Sequence, residues 1–147
     1  MRVWAYVNEQ GTLCCALLKE SVPANVRAVE LEVETPDDVI LNNGQIRVKT
    51  EQEKIESMKQ EALTELKLTV SALLAPTDYI LTKITEAQAL GEDIDPLLSR
   101  YANELSRRQA IRRWNASMKA AINAAGTREE LQLVLEQIRS RLTFSSE

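Results

Sequence analysis

No histidine occurs among the 147 residues of this chain, and histidine is the side chain most often used as a general base and as a metal ligand. A phosphate-binding loop, a dinucleotide-binding glycine motif and a serine nucleophile elbow are absent as well. The two cysteines are adjacent, whereas zinc sites need spaced pairs. The acidic run at residues 92–95 lacks the spacing of a calcium loop and lies where a helix cap favours carboxylates. We therefore predict that the protein is not an enzyme and takes no cofactor or metal ion.

Aromatic residues make up only 4% of the chain, although 44% of its residues are hydrophobic. A core built mainly from Leu, Ile, Val and Ala favours helix-on-helix packing over an aromatic sandwich. No apolar run approaches the roughly 18 residues of a membrane span, and the first residues lack a signal-peptide profile. Cys14 and Cys15 are neighbours on a predicted strand, where a disulfide between them would be strained, so we expect free thiols. These features predict a cytoplasmic protein that does not enter a membrane.

Charge is distributed unevenly along the chain. Residues 1–95 hold 9 basic and 17 acidic side chains, whereas residues 96–147 hold 9 basic and 5 acidic ones. This opposition predicts that the two parts meet, within one molecule or between two, or that the basic part meets an acidic partner. Nucleic acid is not favoured as a partner, because the basic excess is small and the whole chain has a net charge of −4.

Residues 1–50 are predicted to form a small antiparallel β module. Two apolar runs at residues 3–7 and 12–18 flank a loop that contains glycine, which indicates a β-hairpin. Residues 27–34 alternate between apolar and acidic side chains, which indicates a half-buried strand with one acidic face.

The next segment allows two interpretations. Thr35-Pro36 is a helix-start signal, so we predict a helix of about two turns that stops at Asn42-Asn43-Gly44. The alternative is a hairpin over residues 39–48 that turns at Asn43-Gly44. In either case residues 45–49 supply a short strand.

From residue 51 the apolar side chains recur every three or four positions, which predicts a helical region over residues 51–147. The fold class predicted for the whole chain is α+β, with a small N-terminal antiparallel β module, a long helix and a mostly antiparallel helical bundle or hairpin. A stripe from Ile55 to Leu73 marks the first helix, which ends before Pro76. Predicted helices cover residues 52–75, 77–90, 96–125 and 128–143.

The third predicted helix carries two apolar stripes rather than one. Leu97, Tyr101 and Leu105 form the first stripe, and a second one from Ile111 to Ala125 is rotated from it by roughly 100°. This pattern predicts either a bend near residues 107–109 or a helix that packs on two different neighbours. Arg108 and Arg112 prolong the first stripe, so we expect carboxylates or a partner to meet them.

Two groups of side chains are candidates for partner binding. Trp4 and Tyr6 share one face of the first strand, opposite Val3 and Ala5, and either pack in the core or form a protein-binding patch. The second group is Tyr79, Arg108 and Arg112. The alternative for its arginines is a solvated helix face where Glu104 pairs with residues three and four positions on.

Several motifs carry a resemblance to a known family. A Val22-Pro23 turn in the β module is followed by an acid-capped segment ending in Asn43-Gly44-Gln45 and by a long charged helix. The run LLAPTDYI at residues 73–80, a glycine break and YANELSRRQAIRRWN at residues 101–115 come next. This layout resembles the small tail-fibre or tail assembly chaperones of tailed bacteriophages. The positions that match their pattern are Thr77, Asp78 and Tyr79, then Tyr101, Leu105 and Arg108.

The resemblance implies a non-enzymatic chaperone in the host-cell cytoplasm. It would bind a phage tail-fibre or tail protein and aid its folding or trimerisation. Afterwards it would either leave the assembled product or remain on the virion. A first alternative is a structural virion subunit or oligomeric adaptor, a homo-oligomer that associates through the stripe from Ile55 to Leu73. A second alternative is a nucleic-acid-binding regulator that uses the arginine cluster.

Overall fold

A computed structural model describes residues 1–145 of the chain. The fold class is α+β, as predicted: short antiparallel strands come first and long helices follow. The chain forms two compact units, Met1–Lys54 and the part from Ile55 onward. Each unit is described by itself below.

The first unit begins with a three-stranded antiparallel sheet. Its strands are β1 (Arg2–Val7), β2 (Leu13–Ala16) and β3 (Val29–Glu32), in the order β2-β1-β3. The predicted hairpin of β1 and β2 is therefore confirmed. The side chain of Asn8 closes its loop, because Asn8 Oδ1 accepts hydrogen bonds from the backbone N–H of Gln10 (3.0 Å) and of Thr12 (2.9 Å).

A second, two-stranded sheet pairs β4 (Val39–Asn42) with β5 (Gln45–Val48). The preferred prediction of a two-turn helix here is wrong, and the alternative hairpin is correct. Only a single 3-10 turn, Pro36–Asp38, follows the Thr35 cap. The hairpin prevails because Asn43 and Gly44 take φ values of 51° and 77°, the pair of left-handed residues that a tight two-residue β-turn requires.

The alternating side chains of β1 separate a buried face from an outer face, whereas Val29 on the apolar side of β3 is 41% exposed. Val3 and Ala5 are fully buried and form the core of the first unit with Val33 and Val39. Glu30 and Glu32 are exposed, as the acidic alternation predicted. The sheet therefore has one apolar face and one face that carries charged and aromatic side chains.

The helices are α1 (Glu51–Leu74), α2 (Asp78–Ala89), α3 (Asp95–Arg100), α4 (Ala102–Ala124) and α5 (Arg128–Ser145). A 3-10 turn at Ala75–Thr77 separates α1 from α2. The predicted helix over residues 96–125 is wrong in one respect, because it is divided into α3 and α4 at Tyr101. The backbone there has φ −105° and ψ 20°, outside the helical region, while the Tyr101 side chain is buried.

The core of the second unit lies between α1, α4 and α5. Leu66, Ile122, Leu131 and Ile138 are its largest fully buried side chains, and Trp114 and Met118 pack against it. The α1 stripe proposed for self-association contributes Ile55, Ala62 and Leu66 to this core. These three side chains are therefore buried within one chain, and self-association through the rest of the stripe stays a prediction.

The two apolar stripes of the third predicted helix have two different neighbours. Tyr101 of the first stripe contacts Tyr79 of α2, and Arg108 contacts the turn that precedes α2. Ile122 and Ala125 of the second stripe belong to the core with α1 and α5. The rotation between the stripes therefore reflects two packing partners, and α4 continues without a break through residues 107–109.

Candidate functional site

Arg108 is the only charged side chain of α4 that is buried, with 5% of its surface exposed. Its Nη1 atom donates hydrogen bonds to the carbonyl oxygen of Leu74 (2.9 Å), to Thr77 Oγ1 (2.8 Å) and to Asp78 Oδ1 (3.0 Å). These acceptors lie at the end of α1, in the following 3-10 turn and at the start of α2. The carbonyl of Leu74 is free for this bond because the α-helix ends there.

Arg108 also lines an open cleft of about 570 Å³ on the second unit. Its apolar wall comes from the end of α1, the 3-10 turn and α4, namely Leu73, Pro76, Ala110 and Ile111. Its polar lining is Thr77 and three arginines, Arg107, Arg108 and Arg141. We call this surface the arginine cleft.

The three arginines of the cleft differ in their bonding. Arg108 is held by Asp78 and two neutral acceptors, whereas Arg107, one position earlier on α4, is exposed. The Arg141 guanidinium lies over the Trp114 ring, 5.3 Å from its centroid. No carboxylate among the described side chains forms an ion pair with Arg107 or Arg141. Two cationic groups at an apolar cleft can therefore bind an anion that also carries apolar surface.

Tyr79 belongs to a neighbouring aromatic and cationic cluster rather than to the cleft. Its ring meets that of Tyr101 edge to face, with centroids 5.9 Å apart and an interplanar angle of 87°. Lys83 lies over both rings and donates a hydrogen bond to Tyr101 Oη (3.2 Å). Tyr101 is buried while Tyr79 is 49% exposed, so Tyr79 presents an open ring beside the Lys83 ammonium.

Trp4 and Tyr6 lie in the first unit, on the outer face of β1. Both are half-buried, and their partners across the sheet are small: Trp4 pairs with Ala16, and Tyr6 pairs with Cys14. On the other side Trp4 pairs with Glu30, which forms an ion pair with Arg2 at 3.0 Å. We call this surface the aromatic face.

The thiols of the aromatic face and of the opposite face are free, as predicted. Burial raises the pKa of the Tyr6 phenol, and the neighbouring Cys14 adds to the shift. Burial likewise raises the pKa of the Cys15 thiol, with a smaller contribution from Cys14. Both groups therefore keep their protons well above neutral pH.

The predicted partner-binding residues are thus found at four places. Trp4 and Tyr6 form the aromatic face, Tyr79 joins Tyr101, and Arg108 lines the cleft. Arg112 is exposed on α4 but does not line the cleft. Sequence reasoning missed Arg141, because it lies on α5; its position, three residues after Ile138 of the buried α5 stripe, is the one signal that places it near the core.

Among the described residues, no group of three or more His, Cys, Asp or Glu side chains is placed to hold a metal ion. Across residues 1–145, no helix has the length and apolar character that crossing a membrane requires. Comparisons with protein-family models, curated proteins and solved structures gave no match to this chain.

Proposed function

We propose that the protein is a non-enzymatic assembly chaperone that binds a phage tail-fibre or tail protein in the host cytoplasm and aids its folding or assembly. The observation that carries the proposal is the aromatic face. Trp4 and Tyr6 share the side of β1 opposite the fully buried Val3 and Ala5, so they are not needed to fill the core of the first unit. Partly exposed aromatic side chains are enriched in protein interfaces, where they act as anchors.

The surroundings of the aromatic face support a binding role. Its cross-strand neighbours on β2, Ala16 and Cys14, are small side chains. Leu17 and Leu18 follow directly after β2 and are 57% and 63% exposed. These two exposed leucines follow Ala16, the β2 partner of Trp4, and add apolar surface to the same unit. The identity of the partner as a tail-fibre or tail protein rests on the resemblance.

Co-expression with a trimeric tail-fibre protein tests the proposal. The measured quantities are the soluble fraction of the fibre protein and the trimeric fraction of that material in sedimentation. We expect both to rise when the chaperone is present. A variant with Trp4→Gln and Tyr6→Gln should lose most of this effect, because polar side chains remove the apolar anchors.

A matched control is Leu41→Gln, which removes an exposed apolar side chain from the other sheet of the same unit. It should retain the full effect. If the fibre protein is equally soluble and trimeric without the chaperone, the proposed function is wrong. If Leu41→Gln and the double variant are equally impaired, the aromatic face is not the binding surface.

The same preparations separate the alternative functions. A ring or other stable oligomer of the isolated protein in sedimentation would favour a structural virion subunit or oligomeric adaptor. Salt-dependent binding of DNA that weakens with Arg112→Ala would favour a nucleic-acid-binding regulator. Arg108 is unsuited to this second test, since it is buried and holds the start of α2.

A further inference from the structure

The arginine cleft combines an apolar wall with two guanidinium groups, those of Arg107 and Arg141, that have no carboxylate partner among the described side chains. Its volume of about 570 Å³ falls within the range of roughly 300–1,000 Å³ that is typical of ligand sites. Four of its eight lining residues are apolar, namely Leu73, Pro76, Ala110 and Ile111. A ligand that fills the cleft must therefore bring apolar atoms as well as negative charge.

The cleft is organised before any ligand arrives. Arg108 is fixed by three hydrogen bonds of 2.8–3.0 Å, and Thr77 Oγ1 both accepts from Arg108 and donates to the carbonyl of Leu74 (3.1 Å). Arg141 is oriented by stacking on Trp114, which itself packs against the core. Side chains that are already ordered lower the entropy cost of binding.

The charge of the cleft selects the class of ligand. Guanidinium groups form paired hydrogen bonds with carboxylates, and Arg107 and Arg141 are the cleft arginines that are not paired with one. A nucleic-acid backbone would bring phosphates but would leave the apolar wall uncovered, and the chain as a whole has a net charge of −4. A peptide with carboxylates next to an apolar side chain satisfies both parts of the surface.

We propose that the arginine cleft binds an acidic peptide segment of a partner protein. In this arrangement an apolar side chain of the segment lies against Leu73 and Ile111, and its flanking carboxylates pair with Arg107 and Arg141. The inference adds a second contact, on the second unit, to the proposed chaperone. The inference rests on the proposed function in one respect: it assumes that the partner is a protein.

The test uses the full-length chain and a synthetic peptide. The probe is a fluorescently labelled, amidated peptide with the order glutamate, leucine, glutamate, phenylalanine, glutamate, and binding is measured by fluorescence anisotropy at low salt. We expect the peptide to bind, and we expect replacement of its glutamates by glutamines to weaken binding about tenfold or more. Arg107→Gln and Arg141→Gln should each weaken binding about fivefold, as expected for partly exposed charge pairs.

The matched control is Arg113→Gln, which removes one positive charge from an exposed position of α4 outside the cleft. It should leave the affinity within about twofold, because an exposed charge that makes no direct pair with the peptide contributes little to binding. Circular dichroism of all three variants verifies that their folding is unchanged, which is expected because none of these side chains is buried.

Several outcomes would overturn the inference. These are no binding of the peptide, equal losses for Arg113→Gln and the two cleft variants, or undiminished binding of a peptide with serines in place of its leucine and phenylalanine. Displacement of the peptide by single-stranded DNA at equal concentration would also overturn it, in favour of a general anion surface. None of these results would alter the co-expression experiment, which depends on the aromatic face.

Discussion

Arg108 and Asp78 form an unequal ion pair: Nη1 and Oδ1 are 3.0 Å apart, yet 6% of the Arg108 side chain and 61% of the Asp78 side chain are exposed. Arg108 is the buried partner, so its guanidinium cannot exchange its hydrogen bonds for hydrogen bonds to water. Its hydrogen bonds to Leu74, Thr77 and Asp78 hold the segment between α1 and α2 against α4. The main role of this ion pair is therefore to stabilise the second unit rather than to bind a partner.

We expect Arg108→Met to destabilise the second unit by about 2–4 kcal/mol. The substitution removes three hydrogen bonds from a charged donor and leaves polar atoms near an apolar side chain. Thermal or urea unfolding followed by Trp114 fluorescence, in a Trp4→Phe background, measures the change in the second unit alone.

Arg112→Met is the control for Arg108→Met, because Arg112 is exposed one helical turn further along α4. Its effect should stay within about 0.5 kcal/mol, the range of ordinary surface substitutions. Similar losses for the two variants would mean that the burial of Arg108 does not contribute to folding.

The carboxylate of Glu53 makes the first unit sensitive to acid. Arg47 donates to Glu53 Oε1 (2.6 Å) and to Oε2 (3.1 Å), and the backbone N–H of Thr50 donates to Oε1 (3.1 Å). The Arg47 hydrogen bonds, followed by that of Thr50, lower the pKa of Glu53 from its ordinary value of 4.5 to about 2. The unfolded chain therefore binds a proton at a higher pH than the folded chain does.

This difference gives the sign of a pH prediction. The stabilisation by Glu53 is present in full above pH 4.5 and is lost as the pH falls toward 2. Glu53→Gln should lower stability at neutral pH and make its decline between pH 4.5 and pH 2 shallower. Unfolding followed by Trp4 fluorescence in a Trp114→Phe background tests this.

Glu20 supplies the control for the acid experiment, since it is exposed in the same unit and forms no ion pair with any described side chain. Glu20→Gln should leave both the neutral stability and the slope with pH unchanged. A parallel response of the two variants would show that the acid sensitivity arises from general charge effects rather than from the Arg47–Glu53 pair.

Two glycines of the second unit allow a backbone effect to be isolated. Gly91 follows α2 with φ 71°, in the left-handed region, whereas the φ of Gly126 lies outside that region. A Cβ atom at either position would meet nothing within 4 Å. Only the backbone conformation therefore distinguishes a substitution at one position from a substitution at the other.

We expect Gly91→Ala to destabilise the second unit by about 1 kcal/mol, because an L residue is strained at positive φ. Gly126→Ala should be neutral or should stabilise by up to about 1 kcal/mol through a less flexible unfolded chain. The calorimetric melting temperature should therefore fall for Gly91→Ala and should stay the same or rise for Gly126→Ala. Equal shifts would contradict the role of the Gly91 conformation.

Sequence periodicity correctly predicted the features that depend on the spacing of side chains within one helix or strand. The α1 stripe, the core face of β1 with Val3 and Ala5, and the α+β class all follow from side-chain spacing and are seen in the structure. The sequence favours a helix over the hairpin of β4 and β5, because Thr35, Pro36 and two acids are a strong helix start. That start yields a single 3-10 turn, and the Asn43-Gly44 turn then decides the pairing.

The parts that sequence could not supply depend on contacts between distant residues. The apolar stripe predicts carboxylates or a partner for Arg108 without identifying them. Its acceptors are one carboxylate, Asp78 at the start of α2, and two neutral groups, the Leu74 carbonyl at the end of α1 and Thr77 Oγ1 in the following turn. Arg141 reaches the same cleft from α5, 33 positions along the chain. Helical wheels describe each helix alone, so they do not reveal which ends of different helices meet.

The break at Tyr101 is the third feature that periodicity missed, and it leads to a prediction. Tyr101 is 7% exposed, receives a hydrogen bond from Lys83 and packs edge to face on Tyr79. Tyr101→Leu should destabilise the second unit by about 1–3 kcal/mol, through the lost hydrogen bond, the lost ring contact and imperfect repacking. Tyr79→Leu removes the same ring contact from the exposed side, so its cost should stay below about 1.5 kcal/mol.

Urea unfolding of both single variants and of the double variant separates these contributions, because the shared ring contact makes their effects less than additive. Strict additivity would show that the rings do not stabilise each other and that burial of Tyr101 alone holds the junction between α3 and α4.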